Sequence, residues 1–141
     1  MKILLLCLCF LLCACQQSFE KGNIHFPTLS NEIISLCEYP LSNDPSFLLD
    51  HYELELQALE EKLILVSPFS YPQEVIIIIP SDDKKWITFF EQYQKDLMKE
   101  SSHITSSKKY YENAKIGQIH QYTYLIISQH GDKILDYLLS K

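Results

Sequence analysis

Apolar residues between Ser46 and Val66 recur at three- and four-residue intervals. Leu48, Tyr52, Leu56, Leu59, Leu63 and Val66 keep that spacing, and Glu53, Gln57, Glu60 and Glu61 fall largely between them. The period predicts an amphipathic helix over 46–66. A second helix is predicted from Ser81 or Asp82. Two acids suit the positive end of its dipole, and Trp86, Phe89, Phe90, Tyr93 and Leu97 form one aromatic stripe along it. Ser30 caps a shorter helix with Ile33, Ile34 and Cys37 on one side, ending before Pro40. Lys99 to Lys109, "KESSHITSSKK", reads as a polar loop.

Two stretches carry mixed signals. Val75 to Ile79 are all β-branched, and Pro80 pushes Ile79 out of the helical region. They form either a strand, paired with "KLILV" (62–66) through a Pro-containing loop, or a short buried helix. From Ile116 a helical phase runs through Ile119, Thr123, Ile126, Ile127, His130, Ile134, Tyr137 and Leu138. Yet "YTYLIIS" is rich in strand formers, and Gly131-Asp132 suits a break before a last short helix. The fold class expected from the whole pattern is mainly α, a small antiparallel helical domain over 29–141. The alternative is α+β, with a small sheet from residues 62–66, 74–79 and 119–128.

The first 28 residues differ in kind. After Met1-Lys2, the run "ILLLCLCFLLCA" has no charge or amide. At about 18 Å as a helix it is short for a hydrocarbon core of about 30 Å, so it reads as a secretory signal rather than a permanent span. "LCAC" resembles the lipobox of bacterial lipoproteins, with Leu12, Ala14 and Cys15 on the pattern and Cys13 at the tolerant position. The resemblance implies cleavage after residue 14, acylation of Cys15, and an anchor of several chains, which holds where one chain binds only marginally. Gln16 and Gln17 follow with no Asp, which by the same resemblance implies transfer to the outer membrane, facing the periplasm. Residues 15–28 read as a lipidated tether, with Gly22 and Pro27 and no sustained period. Cys7, Cys9 and Cys13 leave with the signal. Cys37 then stands alone as a small hydrophobe, and one thiol builds no internal disulfide.

Charge narrows the class of partner. The net charge is −6, and the cations are twelve lysines with no arginine. Nucleic acid is a poor partner for such a surface, since the bidentate fork for phosphate or guanine is missing. From Asn31 to Asp83, eleven acids face Lys62 alone, a balance of −10, and from Lys84 onward the balance is +3. An acidic surface of that kind attracts a basic protein.

No catalytic constellation is legible. His25, His51, His103, His120 and His130 include no i, i+4 pair, and no metal or cofactor is expected. Three glycines build no phosphate-cradling loop. Glu60-Glu61 and Asp82-Asp83 are adjacent, about 100° apart on a helix, which is poor geometry for paired-carboxylate hydrolysis. His130-Gly131-Asp132 brings a His near an Asp, but no activated Ser or Cys motif accompanies it. The chain is therefore expected to bind rather than to catalyse.

Further residues carry a second resemblance. Cys37, then Leu49-Asp50-His51-Tyr52, then "KKWITFFE" with Lys84, Lys85, Trp86, Phe89 and Glu91, and finally "IISQHGDKILDYL" look similar in order to the LprI-type lysozyme inhibitors, small envelope lipoproteins or secreted domains. The sequence departs from that family in three ways. Gln94 lies near the second Cys position, Phe90 replaces an Arg, and the interval from Leu49 to Trp86 is longer. The resemblance implies a helical domain that inhibits a basic, lysozyme-like peptidoglycan hydrolase. With the acidic arm it nominates Asp50, Glu53, Glu60, Glu61, Asp82, Asp83 and Trp86 as binding residues. The other functions in view are a structural or assembly lipoprotein of an envelope complex, and an immunity lipoprotein.

Overall fold

The computed structural model describes residues 25–37, 39–43, 59, 61–68, 72–79 and 82–141. In chain order these form α1 (Phe26–Leu36), β1 (Ser42–Asn43), β2 (Lys62–Val66), β3 (Glu74–Ile78), α2 (Asp83–Glu100), a 3-10 turn (Ser101–His103), α3 (Thr105–Glu112), β4 (Lys115–Ile119), β5 (Tyr122–Ile127) and α4 (Gly131–Leu139). The fold is α+β, not mainly α. The strands make one five-stranded sheet in the order β1-β2-β3-β5-β4, with every neighbouring pair antiparallel. Since β5 runs against both its neighbours, β3 and β4 run the same way, and α2–α3 carries the chain between them past the slot that β5 fills. This is a split βαβ crossover.

The helical expectation for 62–66 fails for a physical reason. Leu63, Ile64, Leu65 and Val66 are all buried, because the sheet is covered on both faces. A strand buried on both sides reads as a continuous apolar run, so a three-four spacing picked out of it carries no information about helix. Pairing decides the matter: Leu63 lies opposite Ile77 and Leu65 opposite Val75. The upstream part of the expected 46–66 helix lies outside the described residues, apart from Leu59 and Glu61. Similarly, the helical phase from Ile116 dissolves into β4, a two-residue turn at His120-Gln121, β5 and α4. Ile126 and Ile127, likened above to the start of the inhibitor family's closing helix, end β5 instead. The expected polar loop 99–109 is the end of α2, the 3-10 turn and most of α3.

The segments 62–66 and 74–78 form the hairpin that competed with a buried helix. Helix α1 starts at Phe26, within the stretch read as tether, with Pro27 in its first turn. There the fixed φ of proline helps a helix begin rather than breaking it.

Two apolar layers hold the molecule. On one face Leu63, Leu65, Val75, Ile77, Tyr124 and Ile126 meet Leu29 and Ile33 of α1 and Ile134 and Leu138 of α4. On the other, Ile64, Ile76, Ile78, Leu125 and Ile127 meet Trp86, Phe90 and Tyr93 of α2, with Tyr110, Tyr111 and Ile116 at the margin. Gly117 lies opposite Tyr124, whose phenol occupies the space a side chain would need: a Cβ there would come within 2.7 Å of Tyr124 Oη. Among the described residues, no helix is long and apolar enough to cross a membrane.

Candidate functional site

Strand pairing gathers some of the expected binding acids at one end of the sheet. Glu61 is exposed just before β2, and its carbonyl accepts a hydrogen bond from Ile79 N at 3.1 Å, just past β3. Asp83 accepts a hydrogen bond from Thr123, which lies opposite Ile78 at that end of β3, so Asp82 and Asp83 stand at the same end. Their carboxylates have structural work. Asp82 is the N-cap and accepts from Lys85 N at 3.1 Å. Asp83 accepts from Thr123 Oγ1 at 3.0 Å and Gln118 Nε2 at 2.6 Å, tying the helix to β5 and β4. Trp86 is only 5% exposed, edge-on to Phe89 at 5.6 Å, and belongs to the core. Asp50, Glu53, Glu60 and Cys15, the expected lipidation site, lie outside the described residues.

Glu74, counted in sequence with the acidic surface, is buried at the opposite end of the sheet. It opens β3 on the α2 face, where Tyr93 Oη donates to its Oε2 at 2.8 Å and its Oε1 has no partner. Burial pushes this carboxyl up to about 7, and the Tyr93 hydrogen bond, which favours the charged form, offsets only part of that. Beside it, Gln73 is also buried, with both amide atoms unpartnered. The phenol of Tyr111 is raised above its ordinary range by burial first, then by the charges of Glu74 and Glu100. Gln94 Nε2 donates to the Tyr111 carbonyl at 2.6 Å and fixes α3 against α2. In sequence, the one signal for Glu74 is its position: an acid directly before five β-branched residues, where a strand covered on both faces has no wet side.

At that same end a polar cavity of about 580 Å³ opens between α3, the start of β4, the end of β5 and the start of α4. Lys115 Nζ pairs with Asp132 Oδ1 at 2.8 Å on its wall. Asp132 is therefore committed to a lysine, and the His130-Gly131-Asp132 sequence makes no dyad; His130 N instead donates to Ser128 Oγ at 3.1 Å. Cys37 is half-buried at the edge of the α1 layer, and burial raises its thiol to about 11, far from reactive thiolate. Among the described residues no His, Cys, Asp or Glu cluster suits a metal ion.

No family model matches this chain, and no curated protein or solved structure matches it.

Proposed function

We propose that the protein is a lipid-anchored module of the bacterial envelope, held by acyl chains on Cys15 at the outer membrane and facing the periplasm. It binds a basic protein through the acidic end of its sheet, and the partner that fits best is a lysozyme-like peptidoglycan hydrolase. The observation that carries this reading is the convergence of Glu61 with Asp82 and Asp83 through the β2–β3 hairpin, within a stretch whose charge balance is −9 once the buried Glu74 is set aside. An acidic end speeds encounter with a basic cleft and orients it. The reading rests on charge and not on Trp86, which is buried.

The test uses the full chain in detergent micelles and a basic lysozyme. Micromolar excess is expected to slow peptidoglycan hydrolysis, with the association rate falling between about 50 and 200 mM salt. Glu61→Lys should weaken inhibition without loss of folding. Undiminished hydrolysis at that excess rejects the inhibitor. Separately, a palmitate analogue should label the wild-type chain in cells and not Cys15→Ala; an unlabelled wild type rejects the anchor.

A further inference from the structure

The cavity between α3 and α4 has no part in the reading above and lies at the other end of the sheet from its acids. At about 580 Å³ it falls within the usual span for small-molecule sites, roughly 300–1,000 Å³. Such sites are ordinarily apolar with a few polar groups. Here polar surface exceeds apolar only slightly, but every side chain on the wall carries a polar atom, and Gly131 adds only backbone. A wall of this kind gains little from an apolar ligand, but it exchanges hydrogen bonds readily with a hydroxyl-rich one.

Charge and hydrogen-bond capacity narrow the ligand further. Lys115 is neutralised by Asp132, while Lys109 has no carboxylate partner among the described residues, so the wall has one surplus positive charge. Ser128 is 4% exposed, and its Oγ accepts from His130 N, leaving the hydroxyl hydrogen to donate. Tyr110 Oη reaches Gln129 Oε1 only at 3.5 Å, a long bond that a ligand hydroxyl can replace at small cost. The geometry points to a binding site for an acidic sugar, a hydroxyl-rich small molecule with one anionic group at Lys109 and its hydroxyls at Tyr110, Ser128 and Gln129. The anion is either a carboxylate on the sugar or a phosphate ester.

Calorimetric titration of the full chain in micelles tests this with glucuronate, glucose 6-phosphate, glucose and inorganic phosphate. At least one of the two acidic sugars should bind at about millimolar or better, and at least about tenfold more tightly than glucose or inorganic phosphate. Lys109→Met, on an exposed position, should weaken that binding about tenfold, and Gln129→Ala should weaken glucuronate and glucose 6-phosphate while leaving inorganic phosphate unchanged. Preference for glucuronate assigns the anion as carboxylate, and preference for glucose 6-phosphate as phosphoryl. No heat with either acidic sugar up to about 10 mM overturns the proposal. So does glucose or inorganic phosphate binding equally well, or an unchanged affinity in Lys109→Met.

Discussion

The two faces of the sheet are made of different materials. Towards α1 and α4, the sheet sets the rings of Tyr122 and Tyr124 among aliphatic residues such as Leu65, Ile77 and Ile126, and the buried helix positions are aliphatic: Leu29, Ile33, Ile134 and Leu138. Towards α2 the arrangement is inverted. The sheet supplies Ile64, Ile76, Ile78 and Ile127, and the helix supplies Trp86, Phe90 and Tyr93. The inversion has a chemical consequence. A tyrosine on the covering helix brings a hydroxyl down onto the sheet, where it partners Glu74 at 2.8 Å. On the other face the buried helix positions carry no polar group, and Tyr137 of α4 packs only at the margin of that layer. Among the described residues, one face thus buries no carboxyl, and the other holds a buried one raised to about 7.

Deleting a large core side chain on each face asks whether they form one cooperative unit. Phe90 and Ile33 are both fully buried. Phe90→Ala should cost about 3–5 kcal/mol and Ile33→Ala about 2–5 kcal/mol, both read from urea unfolding. Because strand β3 contributes to both layers, each variant should still unfold in one transition seen by every probe. Separate transitions would mean that the faces are independent and the comparison too coarse.

Glu74 sharpens the contrast through pH. Its folded carboxyl lies near 7 against an ordinary 4.5, so between those values the folded state keeps a proton that the unfolded chain has released. The stabilisation from this group is fully present below about 4.5 and is lost as pH rises through about 7, by about 3 kcal/mol in all. Glu74→Gln keeps an acceptor for Tyr93 and removes the titration. The difference in stability between wild type and variant should therefore move by about that amount between pH 4.5 and 8, in favour of the variant at the higher pH. A constant difference across the range would show that Glu74 does not titrate as its burial requires. Tyr93→Phe removes the bond that favours the carboxylate, so the inflection should move to higher pH.

How far this could be read in the sequence depends on which signals were local. The start of α2 was legible because its cap is written in adjacent residues: Asp82 accepts from Lys85 N as its position predicts. The aromatic stripe at Trp86, Phe90 and Tyr93 was legible as one face of that helix, but not its burial: Trp86, read as a binding residue, lies in the core. The sheet was not, because the β2–β3 and β5 strands are covered on both sides and lack the alternation that marks a half-buried strand. Composition alone hinted at it, through "VIIII" and "YTYLII". The sites suffered most. Asp83 reads as a surface acid until Thr123 and Gln118 arrive from far along the chain. Glu74 reads as one more negative charge until both faces of its strand are covered. The cavity joins residues from α3 to α4 that share no motif at all.

The smallest predicted effect concerns the sheet-borne rings. Gly117 and Tyr124 are cross-strand partners, and the phenol of Tyr124 lies over the glycine, with Cζ 3.0 Å from where a Cβ would stand. Gly117→Ala must displace a ring that is itself 8% exposed and packed beneath α1 and α4, at a cost of about 1–2 kcal/mol. The backbone alone would favour the change, because glycine in a strand loses about 0.5–1 kcal/mol relative to alanine. The two effects separate in a double-mutant cycle. If the clash with the ring is the cause, Gly117→Ala should be neutral or stabilising in a Tyr124→Leu background, giving a coupling of at least about 1 kcal/mol in urea unfolding. If the alanine costs the same with and without the ring, the glycine answers to the backbone of edge strand β4, and the sheet-supplied rings of this face leave their neighbours free to vary.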